Sequence, residues 1–250
     1  MKNWRIFGLL LFAIPYLLVS CSDQQPSTGV NPFEGMHLAT LTGNKNPKTE
    51  SSPTPVFGNA LLLDDFSDPN SGWEIFSTSD GNAGYEDDVY LIVSNSKGLT
   101  EWGANPQTFS DLKIDTDIHA VNTSENENNG FGVDCRIQDN GDGYSFEISS
   151  DGEYAIVKFE NGESTPLVDW TASSDIPIGD QTIHMTTLCQ GDNLQLWVNK
   201  ISIAQTTDSS FSSGRVSLSA TTFDAALPAR IEFDNLYITD PGMNAGGSTN

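Results

Sequence analysis

Trp197 is the residue whose setting most invites a ligand. It alternates with Leu194, Leu196 and Val198, so on an extended strand those three share one side and the indole takes the other. Asp134 and Arg136 interrupt Phe131, Val133, Cys135 and Ile137 in the same way, and Glu147 falls between Phe146 and Ile148. An aromatic plane with a few polar groups that fix orientation is what a sugar ring requires: its apolar face packs and its hydroxyls bond. If these strands share one sheet face, Trp197, Asp134, Arg136 and Glu147 form a polar groove with an aromatic wall. The blander expectation is that Arg136 only pairs with Glu147 across a hairpin, a contact worth about 0.2–1 kcal/mol. Trp73, Trp102 and Trp170 fall near strand ends and read as packing residues.

Catalytic signatures are scarce. No Gly-x-Ser-x-Gly elbow and no His-Glu-x-x-His motif occurs. His37, His119 and His184 are scattered. Asp115 and Asp117 share a strand face with only Lys113 and His119 beside them, and Glu125 and Glu127 lie in an Asn-rich loop. Solvated acidic surface accounts for both. Binding is therefore expected over catalysis.

The N-terminus assigns a compartment. Lys2 and Arg5 precede an apolar run from Ile6 to Leu17, and Leu18-Val19-Ser20-Cys21 follows. This is a secretory signal, too short and wrongly flanked for a membrane-spanning helix. It resembles the bacterial lipobox, in which a cysteine after small residues receives a diacylglyceryl group before cleavage. The resemblance implies a signal peptide over 1–20, a lipid on Cys21 and attachment to a membrane facing the periplasm or the cell exterior. The net charge of −23 falls by a further two once Lys2 and Arg5 leave with the signal. So acidic a surface repels phosphate backbones and excludes nucleic acid as a partner. It equally disfavours a peripheral hold on anionic lipid.

Residues 21–58 carry Pro26, Pro32, Pro47, Pro53 and Pro55 among Ser, Thr, Asn and Gly. No period of 2 or 3.6 is sustained, and so little apolar area cannot offset ordering entropy. A flexible tether is expected there, and a frayed Gly/Ser/Asn tail over 242–250.

Residues 59–241 remain, enough for one well-buried core. Leu112, Ile114 and Ile118, then Phe131, Val133 and Ile137, then Tyr144, Phe146 and Ile148 alternate with polar residues, the signature of strands with one dry face. Asp151-Gly152 and Asn161-Gly162 separate consecutive strands and accept positive φ, as tight hairpin turns require. No amphipathic helix longer than two turns is present. The fold class is all-β, a two-sheet antiparallel sandwich. Cys135 and Cys189 both sit at dry-face parity. In an exported chain they are expected to pair, and a bridge closing about 54 residues contributes about 4 kcal/mol in the loop-entropy model. The alternative is two separate buried thiols.

Several of these strands carry a likeness. Phe131-Gly132-Val133-Asp134-Cys135-Arg136 with Tyr144-Ser145-Phe146-Glu147-Ile148 resembles the central hairpin of concanavalin A-like, laminin G-like jelly rolls. Gly191-Asp192-Asn193-Leu194-Gln195-Leu196-Trp197-Val198-Asn199 resembles their Gly-x-x-Leu-x-Leu-x-Val-Asn hairpin, with Lys200 where a glycine often follows. Asp64-Asp65-Phe66 with Gly72-Trp73 resembles their opening, and Phe233-Asp234-Asn235-Leu236 their close. The resemblance implies adjacent first and last strands, and members that bind or process glycans or serve as adhesive spacers. It also implies a structural Ca2+ held by Asp234 with Asp64 or Asp65 opposite. Glycosidases of that superfamily place carboxylates at Glu-x-Asp-x-Glu on one strand, which this chain lacks. The central hairpin is also similar to that of hydrolases acting on 3-keto-glycosides, which carry a glutamate near Glu147. A carbohydrate- or ligand-binding domain is the first expectation, with a structural or adhesive spacer or a glycan-processing hydrolase as alternatives.

Overall fold

The computed structural model describes residues 60–121, 128–224 and 227–242. The expected signal, the lipidated Cys21, the tether to residue 58 and the tail beyond residue 242 lie outside the described residues.

Fifteen strands follow in chain order: β1 (Ala60–Asp64), β2 (Phe76–Ser77), β3 (Gly81–Glu86), β4 (Val89–Ser94), β5 (Thr100–Phe109), β6 (Leu112–Val121), β7 (Asn129–Ile137), β8 (Gly143–Ile148), β9 (Glu153–Glu160), β10 (Glu163–Ala172), β11 (Thr182–Gln190), β12 (Asn193–Val198), β13 (Ile201–Thr207), β14 (Gly214–Thr222) and β15 (Ala229–Thr239). They form two antiparallel sheets. The larger runs β13-β12-β11-β6-β15-β4-β3-β2, with β1 also on β15, and the smaller runs β10-β9-β8-β7-β14-β5. The first and last strands are adjacent, Asp64 lying opposite Leu236.

Alternation produces the sandwich. Ile114, Ile118, Leu194, Leu196, Ile231 and Phe233 project from the larger sheet, and Phe131, Val133, Phe146, Ile148, Val216 and Leu218 from the smaller one, all buried in one core. Cys135 of β7 and Cys189 of β11 form a disulfide with Cα atoms 6.9 Å apart, joining the two sheets through that core. At one end Phe66 packs edge-on to Trp73, centroids 5.7 Å apart, and stacks on Tyr90 at 5.6 Å.

Turn chemistry sets the hairpins. Asn161 and Gly162 both take positive φ between β9 and β10, the two-residue turn whose twist matches the strands. Asn199 and Lys200 do the same between β12 and β13, so the turn forms with lysine at its second position. Between β8 and β9 only Gly152 of the Asp151-Gly152 pair adopts positive φ. Strands β5, β2 and β3 were not expected. The β5 sequence holds Gly103 and Pro106, and proline is tolerated in a sheet only at an edge or bulge. Strand β5 is an edge strand, and its pairing with β14 shifts register between Arg215 and Ser217.

Candidate functional site

The outward face of the smaller sheet is the unusual surface of this molecule. Strand alternation puts Gly130, Gly132 and Asp134 of β7 there, beside Ser217, Ser219 and Thr221 of β14, Ser145 and Glu147 of β8, and Ala155, Val157 and Phe159 of β9. Their inward neighbours Phe131, Val133, Phe146, Ile156 and Leu218 lie in the core. Small side chains make a low floor. Asp134 and Glu147 are the charged groups on it, yet their residues are only 0% and 3% exposed.

Sheet curvature covers them. Trp102 stands on β5 and Phe159 on β9, four strand spacings apart, which a flat sheet would hold about 19 Å from each other. Their ring centroids are 6.3 Å apart, edge to face. Trp170 of β10 and Phe223, just past β14, are also four spacings apart and meet at 6.1 Å. The sheet is therefore strongly concave, and two aromatic pairs arch over one trough. A Cβ on Gly130 would come within 3.3 Å of Glu147 Oε2 and Phe223 and 3.4 Å of Trp170. Glycine keeps that space open beneath the second arch, where a Cβ would press on all three side chains. Beside the first arch lies a pocket of about 180 Å³ lined by Trp102, Phe159, Asp134, Ser217, Glu74 and Arg215, among others.

The electrostatics of the floor are those of buried acids without counter-ions. Asp134 accepts hydrogen bonds from Ser217 (2.7 Å) and Ser219 (3.2 Å). The Ser145 hydroxyl stands between the two carboxyls, 3.2 Å from Glu147 Oε1 and also bonding Asp134. Glu147 Oε2 has no partner among the described residues. Burial pushes Asp134 up to about 6 against the serine bonds. Burial first, and then the nearby Asp134, push Glu147 up to about 7. Desolvation disfavours the charged form of each acid, and two like charges so placed resist ionising together. At neutral pH the pair therefore retains a share of one proton, with Glu147 the readier donor. Asp134 and Glu147 are diagonal neighbours, since Glu147 pairs with Gly132 and Asp134 with Ser145.

The groove expected from sequence is corrected in two respects. Trp197 does face away from the buried Leu194, Leu196 and Val198, but it stands on β12 in the larger sheet, opposite Thr186 and Ser202. It cannot share a groove with Asp134 and Glu147 on the outer face of the other sheet. Arg136 leaves the set as well. Its φ is +57°, in a bulge where β7 shifts register against β14, and a bulge reverses side-chain direction. The guanidinium does not pair with Glu147. It donates instead to the carbonyls of Ser110 (3.2 Å), Gly191 (2.8 Å) and Phe211 (2.9 Å) and to Asp111 (3.1 Å). Arg136 thus ties three loops together at one end of the sandwich, only 1% exposed. Gly214 must pass against its backbone, where a Cβ would come within 2.3 Å of the Arg136 carbonyl carbon.

The expected calcium ligands Asp64, Asp65 and Asp234 each hold hydrogen bonds within the chain. Asp64 accepts from the Phe66 amide with one oxygen and from Trp73 Nε1 with the other, both at 2.9 Å. Asp234 accepts from the Asn235 amide and side chain, and Asp65 from both donors of Ser67. Among the described residues no group of three or more His, Cys, Asp or Glu side chains is arranged to hold a metal. The aspartates serve as internal hydrogen-bond acceptors, and burial together with the charges of Asp117, Asp65 and Asp88 raises the pKa of Asp234. Asp139-Asn140-Gly141-Asp142-Gly143 is a hairpin turn, in which the Gln138 amide donates to the Asp142 carbonyl at 2.8 Å.

Sequence reading placed Trp102 among the packing residues and so missed its position at the pocket. It belongs to an edge strand disguised by Gly103 and Pro106, and the residue is 38% exposed beside the pocket it lines. The signal available was its alternation with Ala104, opposite Ser219 and Ser217.

No protein-family model matches the chain, and no curated protein matches its sequence. Solved structures do match. A protein of unknown function with a galectin-like fold from Bacillus subtilis superposes with a TM-score of 0.55 at 10% identity, over 73% of this chain and 96% of that one. A native glycosidic hydrolase gives 0.55 at 11% identity, over 74% and 98%. The β-glucanase of Bacillus licheniformis gives 0.54 at 10%, over 74% and 99%. At such identities the likeness shows the fold. The domain is an antiparallel two-sheet jelly roll.

Proposed function

We propose that this chain is an exported, lipid-anchored protein that binds a glycan in the trough of its smaller sheet. The observation that carries the reading is the pair of aromatic arches over a floor of small residues and two buried carboxyls. Aromatic rings take the apolar face of a pyranose, and carboxyls take its hydroxyls. The pocket, about 180 Å³, is below the roughly 300 Å³ at which ligand pockets usually begin. It suits one ring or a chain end and not a long stretch of polymer. Two of the matched folds are named for enzymes that act on glycosides. The Cys135–Cys189 bridge agrees with an oxidising compartment, as the signal and Cys21 require. A glycan array probed with the purified chain tests the reading. Bound glycans should be lost on Trp102→Ala while Trp197→Ala retains them. Loss in Trp197→Ala alone would move the site to the other sheet, and an array without any bound glycan would end the reading.

One observation favours a second reading, glycan processing. An acid held near 7 beside a second carboxyl is the arrangement from which glycosidases draw a general acid and its partner. Release of reducing ends from a bound glycan, abolished by Glu147→Gln, would establish it.

A further inference from the structure

The pocket beside Trp102 is acidic in a way that neutral sugars do not demand. Glu74, Asp134 and Asp139 line it, and Arg215 is the one base among the lining residues. That arginine is already engaged at the rim, 3.3 Å from Glu74 and 4.0 Å from Asp139. Asp134 on the floor has no cation beside it, and its hydrogen bonds come from neutral serines. One step along the same floor, Glu147 Oε2 is buried and without a partner among the described residues, under the second arch. A buried carboxylate without a counter-ion is costly unless a binding partner supplies the charge. Trp102 and Phe159 add aromatic faces, which attract cations as well as apolar rings. The buried Nε–H of Arg215 also lacks an acceptor, so the pocket offers one donor for a sugar oxygen against several acceptors.

We infer that the pocket selects a sugar bearing a free amino group, whose ammonium lies against Asp134 with its ring on Trp102 and Phe159. This rests on the glycan-binding reading above and narrows its ligand to the hexosamine class with an unacetylated amine. Acetylation removes the positive charge and adds bulk that a pocket of about 180 Å³ has little room for. Sulfated and uronic acid glycans are rejected by the same carboxylates and by the net charge of −23. Arg215 Nε meets a ring or hydroxyl oxygen of the bound sugar. The aromatic pair excludes water from the ammonium, so the contact with Asp134 is stronger than any at the open acidic surface.

The test is calorimetric titration of the full chain in detergent with the methyl glycosides of glucosamine, N-acetylglucosamine and glucose, in 150 mM salt. A single charge per ligand and a Debye length of about 8 Å keep diffuse attraction to the acidic surface small. Glucosamine should bind at least tenfold more tightly than either of the others. Asp134→Asn should erase that preference. Asp139→Asn, at a side chain fully in solvent and harmless to folding, should reduce it by a smaller factor. Equal affinity for all three, or tighter binding of the acetylated or neutral ring, overturns the amine inference while glycan binding stands. A preference that persists in a folded Asp134→Asn variant overturns it too, because the discrimination then lies elsewhere. Failure of all three ligands, with no glycan bound on the array, removes both readings together.

Discussion

Replacing Glu147 by glutamine probes the trough without any ligand. The carboxyl stands at about 7 in the folded chain against 4.5 for a free glutamate. At 1.36 kcal/mol per unit the difference corresponds to about 3 kcal/mol. Its sign follows from the direction of the shift. A folded-state value raised above the unfolded one gives a contribution fully present below pH 4.5 and lost as pH rises through 7, because the unfolded chain ionises first. Glutamine cannot ionise, so it escapes this loss. Its amide leaves a buried donor unpaired, at a cost of about 1–3 kcal/mol that does not vary with pH. The stability of Glu147→Gln minus that of the parent should therefore rise by about 3 kcal/mol between pH 4 and pH 8. The variant should be the less stable protein at pH 4 and equal or better at pH 8. Asp134, also raised, acts in the same sense. Because the two acids interact, Asp134→Asn together with Glu147→Gln should gain less than the sum of the single changes. Urea unfolding with the disulfide intact, at half-unit steps of pH, measures the difference. A difference constant within about 0.5 kcal/mol across that range would show that water reaches Glu147 freely. The covering of the floor by the aromatic arches would then be wrong.

Three further outcomes are expected. Arg136→Ala should cost about 3 kcal/mol or more in the same unfolding assay, because three loop carbonyls lose a charged donor. Arg136→Lys should recover less than half, since an ammonium lacks the planar fork, and a full recovery would contradict the loop-tying role. Chelation with EDTA should move the melting temperature by less than about 1 °C, because Asp64 and Asp234 are satisfied by donors of the chain itself. A fall of several degrees would restore a structural cation. Cys21→Ser should abolish metabolic lipid labelling and leave the protein uncleaved or soluble, whereas continued labelling would remove the lipobox reading.

Much of the fold was legible because alternation is local. Leu194, Leu196 and Val198 announce a dry face and put Trp197 on the other side, and the structure agrees. Cys135 and Cys189 share dry-face parity and are bonded. Asn161-Gly162 carries its own turn geometry. Each of these depends on a few consecutive residues and on backbone sterics.

The site was not legible, for reasons that are equally physical. Period-2 alternation tells which side of its own strand a residue takes, but not which sheet the strand joins. Trp197 and Glu147 therefore look alike in sequence and stand on opposite outer faces of the sandwich. Arg136 follows the parity of Asp134 in sequence, yet a bulge set by the pairing of β7 with β14 turns it away. That pairing joins residues about eighty positions apart in the chain. The arches depend on curvature accumulated over five strands, a property of the whole sheet, with no single residue to mark it. Only that curvature brings Trp102 to Phe159 and Trp170 to Phe223, and with them changes Asp134 and Glu147 from surface acids into buried ones. The sequence by itself determined most strands and turns and favoured the pairing of Cys135 with Cys189. Tertiary structure decided which acids lose their water, because desolvation depends on what the rest of the chain places above them.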